Sequence, residues 1–312
     1  MITSLLHSLL LFSQGIFIIL LSPLMIGWIK KIKCFFQQRS SPPLLQLYYV
    51  IYKLLCKEPV LAENASWLFR LAPYLYFISA AIVCFSLPFF MADSFTAHTM
   101  DMIVLAGLLS FGRILLALAA MDVGTAFGSL GARREMFVAC LAEPVLLIVF
   151  YNTALLTHTA YLSISTQVFS QHFILYPSLF FSCIALILVA IAETGRVPID
   201  NPATHLELTM IHEAIILEYS GRYLALIEWG NAIKFTLYLG FIAALFMTFS
   251  RIGFFSSLLK FFILAAMIGF IESINSKLRI FKVTDYLGGA FMLAVLGVII
   301  TQLLMSAYIH SA

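Results

Sequence analysis

Charge is what this sequence has least of. Asp, Glu, Lys and Arg make up 11% of its 312 residues, against about 25% in a soluble domain. So few charges cannot clothe a water-facing surface, and a soluble globular fold is excluded. With 62% hydrophobic residues and a mean hydropathy of +1.02, the chain reads as an all-α polytopic membrane protein forming one integral membrane domain over 1–312. The cysteines at 34, 56, 84, 140 and 183 contain no C-x-x-C pair. Cys84, Cys140 and Cys183 lie in apolar runs and read as small buried hydrophobes. No cofactor or metal is therefore expected in this chain. Also missing are a phosphate-binding glycine loop, a zinc motif and a nucleophile–base arrangement. The net charge of +3 does not point to nucleic acid, because Lys and Arg are spread along the membrane edges. The N-terminal stretch lacks a basic run and an A-x-A site, so it is expected to stay as a span rather than leave as a signal peptide.

A span takes about 20 apolar residues. Eight are expected, over 5–29, 71–91, 102–121, 136–157, 173–192, 222–248, 254–271 and 286–308. No internal repeat is visible. Lys30, Lys31, Lys33, Arg39, Lys53, Lys57, Arg70, Arg133, Arg134, Arg196, Arg222, Lys277, Arg279 and Lys282 fall on one side of this alternation, and Arg251 alone on the other. The bias puts the long loops in the cytoplasm and both termini in the periplasm, in the inner membrane of a cell. Residues 44–57 are too short to span. They have apolar positions at helical spacing, with Lys53 and Lys57 one turn apart, and read as an interfacial amphipathic helix.

Against this scarcity, "AETGRVPIDNPATHLELTMIHEAIILEYSG" (192–221) holds a third of the chain's 15 acids. Pro198 and Pro202 bracket Asp200, so 195–201 should be an irregular loop. Asn201 reads as an N-cap, Pro202 as the first helical residue and Gly221 as the stop. On the helix between them, Glu207, Ile211, Ala214 and Glu218 share one stripe. His205 and His212 share nearly the opposite one. Carboxylates on an apolar stripe are desolvated and repel one another, which tunes them towards neutrality and proton exchange; the alternative is a solvated cytoplasmic helix. A separation of seven positions between the two histidines is a poor metal spacing. Further ionisable groups fall inside spans: Arg113, Glu143 (followed by Pro144), Glu228, Lys234 and Lys260. Charges at such depth usually mark ion paths or internal pairs.

The 192–221 stretch resembles the signature loop of the H subunit (subunit 1) of respiratory complex I. The run D-N-P-A-T-H-L-E-L-T-M-I-H-E-A…L-E-Y-S-G is closer to one branch, the membrane subunit of group 4 nickel–iron hydrogenases, as in hydrogenase-4 and formate hydrogenlyase. So are "ALAAMDVGTAFGSLGARREMFVACLAEPVLL" (117–147), "RLAPYLYF" (70–77) and "LQLYYVIYKLLCKE" (45–58). The resemblance implies a non-catalytic subunit that docks a peripheral redox arm to antiporter-like membrane subunits. Partners would be hydrogenase-like large and small subunits and an iron–sulfur subunit, with iron–sulfur clusters and the nickel–iron centre in those partners. It further implies an acidic funnel of Glu193, Asp200, Glu207, Glu213 and Glu218, a loop organised by Arg196, and a relay at Glu143. Asp122, Arg134 and Glu135 would line the docking face. Leu47 and Val50 depart from the family's usual Pro and Asp, "QRSSPP" lacks its glycines, and Ile199 replaces Phe. The first two departures lie where complex I builds its quinone cavity. A quinone-reducing H subunit is the alternative. A stand-alone transporter is disfavoured by the missing inverted repeat, and a passive anchor is the blandest reading.

Overall fold

The computed structural model describes residues 2–62, 64–87, 100–171, 177–200, 211–246 and 254–311. They form helices and no strand. Eight helices are membrane-crossing in character: α1 (Ile2–Phe36), α3 (Trp67–Cys84), α4 (Met102–Asp122), α5 (Ala126–Thr157), α7 (Pro177–Glu193), α9 (Gly221–Phe246), α10 (Phe254–Ile274) and α11 (Ile280–Ser311). Seven of them are long and apolar enough to cross a membrane, and α7 is a shorter apolar helix. The expected all-α multi-pass architecture stands.

The boundaries shift for local reasons. α1 runs on to Phe36 because nothing in Lys30–Phe36 breaks a helix; it stops where Gln38 takes a left-handed φ of 54°. α5 starts at Ala126, ten residues before the expected 136, because Thr125 caps it by accepting from Gly128 N at 3.3 Å. Arg133 and Arg134 thus ride on helix, not on a loop. Ser66 caps α3, its Oγ accepting from Leu68 N at 3.1 Å, and its own N–H donates to Asp122 Oδ2 at 2.9 Å. Asp122 thereby ties the end of α4 to the start of α3. A helix that the sequence did not announce, α6 (Leu162–Gln171), occupies the loop after α5.

α9 is the axis of the bundle, flanked by α1, α2 (Gln46–Leu55), α3, α7 and α10. Its spanning window is 78% buried, against 28% for α11 and 33% for α10. The expected interfacial helix is α2 (Gln46–Leu55). Leu47 and Ile51 are its buried face, packed with Ala225 and Ala232 of α9, while Tyr49, Val50, Tyr52 and Leu55 face outwards.

The largest departure concerns the acidic helix. Among the described residues the stretch expected as one helix up to Gly221 contains only α8 (His212–Ile216). Residues 201–210, with His205 and Glu207, lie outside the described residues. Three contacts explain the break at the described end. Asp200 Oδ2 accepts from the backbone N–H of Ile211 (3.0 Å) and His212 (3.2 Å), which starts a helix at 212. Tyr219 stacks on Phe69 with centroids 4.0 Å apart and donates its hydroxyl to Phe69 O at 3.2 Å. Ser220 accepts from Val60 N at 2.7 Å and donates to Val60 O at 2.8 Å. The chain is thus drawn off a helical path before Gly221, whose φ of 56° makes the junction into α9. Of the expected stripe, Ala214 lies on α8, Ile211 precedes the helix and Glu218 follows it, while Glu207 is outside the described residues.

Candidate functional site

Four charged side chains from four helices meet inside the bundle. Arg113 of α4 places Nη2 2.6 Å from Glu193 Oε1 and 3.3 Å from Glu143 Oε1. Lys234 of α9 places Nζ 2.9 Å from Glu193 Oε2. Arg113, Glu193 and Lys234 have side chains no more than 4% exposed, whereas that of Glu143 is 30% exposed. Two cations balance two anions, which is what makes such burial tolerable: an isolated charge there would cost several kcal/mol (~3–5). Arg113 Nε and Nη1 are buried without a protein acceptor among the described residues, so the cluster retains hydrogen-bonding capacity that water can use.

The loop after α7 is held over this cluster by further charges. Gly195 takes a φ of 59°, turning the chain after Glu193. Arg196 Nη1 donates to Glu272 Oε1 at 2.8 Å, and its guanidinium lies 4.0 Å from the centre of the Phe235 ring; a cation over an aromatic face adds to the pair. Lys33 Nζ stands 3.7 Å from Glu272 Oε2. Lys277 Nζ donates to Asp200 Oδ1 at 3.1 Å, and Leu278 N to Pro198 O at 2.7 Å. The loop is therefore clamped to both α9 and the α10–α11 turn.

Between loop and cluster lies a third group. His212 Nδ1 is 3.8 Å from Glu135 Oε2, an ion-pair separation longer than a hydrogen bond. Its Nε2 is 3.1 Å from Asn231 Oδ1, which also accepts from the Tyr76 hydroxyl at 2.6 Å. Tyr76 fits because Gly112 and Gly230 flank it: a Cβ on Gly230 would lie 2.7 Å from the ring and one on Gly112 3.2 Å away. α8 itself presses on α5, where a Cβ on Gly131 would lie 2.7 Å from Ala214 Cβ. Burial alone would lower the proton affinity of His212; the Glu135 carboxylate outweighs it, so the imidazole titrates above its ordinary range.

A family model described as NADH dehydrogenase matches residues 8–305. The chain belongs to the NADH dehydrogenase family. This member is 28% identical over 239 residues to hydrogenase-4 component C of Escherichia coli (strain K12), covering 77% of this chain and 75% of that one. It is 27% identical over 246 residues to formate hydrogenlyase subunit 4 of the same organism, covering 78% and 79%. In fold it is similar to a chain of the membrane-bound sulfane sulfur reductase, an archaeal respiratory membrane complex. That match has a TM-score of 0.78 at 17% identity and covers 93% of this chain and 99% of the other. The resemblance read from the sequence motifs is borne out.

In this NADH dehydrogenase family member the residues singled out by sequence fall into distinct places. Glu143 and Glu193 share one guanidinium, whereas Glu135 is buried and faces His212, which in turn meets Asn231. Asp200 is buried and fixes the loop. Arg196 binds Glu272, and Asp122 caps α3. Glu213 stands in the first turn of α8, and Glu218 in the turn after it, half-exposed with no ion pair to a described residue. Arg134 is half-buried on α5. Cys140, expected inside, is exposed on the outer face of α5, because its position faces away from the bundle axis. Sequence reasoning passed over Glu272, Asn231 and Tyr76, and weighed His212 only as half of a metal pair. Glu272 had one signal, a lone acid at the end of an apolar run; Asn231 and Tyr76 had none.

Proposed function

We propose that this chain is the membrane subunit of a complex I-like, hydrogenase-type oxidoreductase, and that its buried carboxylates begin a proton path. Supporting the first part are the two hydrogenase-type relatives and the respiratory-complex fold neighbour. One observation carries the second. A charge-balanced cluster of Glu193, Arg113, Lys234 and Glu143 is sealed at its centre and half-open at Glu143, about mid-way along α5. Ionisable groups at such depth are expensive, and they mark ion routes when they form a connected set. In this reading the route would run from the loop side by way of Asp200, His212 and Glu135, with Glu213 and Glu218 as outer acids; Glu207, proposed to join them, lies outside the described residues.

In this reading the loop side faces the cytoplasm, both termini face the periplasm, and the membrane is the inner one. Arg134 and Asp122 would belong to the face where a redox arm of hydrogenase-like large and small subunits and an iron–sulfur subunit docks. Iron–sulfur clusters and a nickel–iron centre would sit in those partners; the five cysteines here are scattered over α1, the end of α2, α3, α5 and α7. Antiporter-like subunits would receive the proton beyond Glu143.

The test is Glu143→Gln in inverted membrane vesicles containing the whole complex. The variant is expected to assemble and to keep redox turnover with artificial electron carriers, but to lose coupled acidification of the vesicle lumen. Wild-type acidification would remove the proton-path reading.

A further inference from the structure

His212 stands where the acidic loop meets the bundle. Its backbone N–H donates to Asp200 Oδ2, so the turn, not the ring, fixes its position. The imidazole is held separately, between Asn231 and Glu135. Gly195 packs beside it, its φ of 59° turning the loop there. Side-chain exposure falls inwards, from 18% at His212 and 8% at Glu135 to 3% at Lys234 and 1% at Glu193. The ring is thus the place where water on the loop side meets the sealed network.

The hydrogen bonds also fix which nitrogen exchanges. Asn231 Oδ1 accepts from the Tyr76 hydroxyl and can only accept again, so Nε2 carries a hydrogen in both charge states. Nδ1 is then the nitrogen that gains or loses a proton, and it faces the Glu135 carboxylate. Glu135 of α5 favours the charged ring, and Lys234 of α9 opposes it. Asp200 and Glu213 stand on the loop itself, and Arg113 of α4 lies behind Glu193.

We propose that the His212–Glu135 pair is the loading point at which a proton from the loop side enters the buried network, with Nδ1 as the nitrogen that takes it up. This rests on the proton-path reading above. Uptake converts a neutral ring beside a carboxylate into an imidazolium–carboxylate pair. Transfer onward, once the pair closes from 3.8 Å to hydrogen-bond distance or through one bridging water, breaks the Nδ1–H bond and forms O–H on Glu135, leaving two neutral groups; one proton moves and no electron does. Asn231 sits one helical turn before Lys234 on α9, so the loaded pair adjoins the cluster that ends at Glu143.

The sign of the pH dependence follows. An imidazole with raised proton affinity strengthens the loop contact fully below the unfolded value of about 6.5 and loses that contribution as pH climbs through the raised value. Loading should fail on the same alkaline side.

The experiment uses the whole complex in membranes, with histidine labelled by nitrogen-15. The infrared imidazole band absent from His212→Gln is titrated in wild type and in Glu135→Gln. Its midpoint is expected above about 6.5 and should fall by about one unit or more in Glu135→Gln. In parallel, the pH profile of vesicle acidification should lose its alkaline fall in His212→Gln, at a lower plateau, and the fall should move acid-ward in Glu135→Gln. A midpoint unmoved by Glu135→Gln overturns the proposal. So does a His212→Gln profile of wild-type shape, whatever its amplitude, because a merely structural histidine scales activity without reshaping it. If His212→Gln does not assemble, the Glu135→Gln shift of the alkaline limb decides alone. Loss of pumping in Glu143→Gln beside a wild-type-shaped His212→Gln profile rejects this inference only; normal pumping in Glu143→Gln rejects the underlying path.

Discussion

Replacing Glu193 with Gln would leave two buried cations facing one carboxylate. Glu193 contacts both, with Arg113 Nη2 at 2.6 Å and Lys234 Nζ at 2.9 Å, and its side chain is 1% exposed. Arg113 keeps Glu143 at 3.3 Å; Lys234 is left with an amide. Breaking a buried pair from one side costs about 3–5 kcal/mol, and the Gln oxygen, still able to accept, puts Glu193→Gln near the lower end. Lys234→Met leaves the opposite imbalance, but Glu193 retains its shorter contact, so this loss should be smaller, about 2–3 kcal/mol. The double variant restores balance, with Arg113 facing Glu143 alone. Its destabilisation should fall short of the sum of the two singles by about 2 kcal/mol, well beyond the roughly 0.5 kcal/mol scatter of independent sites. Unfolding of the purified full-length chain in mixed detergent micelles, followed by circular dichroism against denaturing detergent, measures all three. Additive losses would show that the four side chains do not form one electrostatic unit.

Two further outcomes follow from the same structure. Asp200→Ala removes the acceptor of two backbone amides and of Lys277; at about 1 kcal/mol for a cap and more for a charged bond, hydrogen exchange across 211–216 should quicken by at least roughly tenfold, and unchanged exchange would refute the anchoring role. Asn152→Ala strips the bonds from Asn152 Nδ2 to Ser182 Oγ and from Thr301 Oγ1 to Asn152 Oδ1, both 2.7 Å and joining α5, α7 and α11; the expected loss of about 1–2 kcal/mol would show in the same detergent titration, with no change in the pH profile of pumping.

Composition and apolar run length made the bundle legible. Apolar stretches of spanning length and the amphipathic 44–57 segment follow from the solvent being lipid. Helix ends were less legible, since Lys30–Phe36 and Ala126–Glu135 are compatible with helix and with loop; caps at Thr125 and Ser66 decide them. Within the candidate site, Glu143, Arg113 and Lys234 were visible as charges misplaced in apolar segments. Their mutual pairing was not, because it is set by the rotation of four helices about their own axes. The acidic stretch misled for a definite reason: its local pattern favours one helix, while Asp200, Tyr219 and Ser220 spend their hydrogen bonds on distant segments. Glu272, Asn231 and Tyr76 became meaningful only once α10, α9 and α3 were side by side.

The contact between Gly131 and Ala214 has a mechanical side. No methyl group fits between α5 and α8 at that point, so there is no slack for the loop to shift without thrusting on α5. One turn along that helix stands Glu135, and twelve residues along, about 18 Å at 1.5 Å per residue, stands Glu143. A push delivered to the loop would reach the middle of α5 along a stiff rod, with Pro144 as the first point where that rod can give.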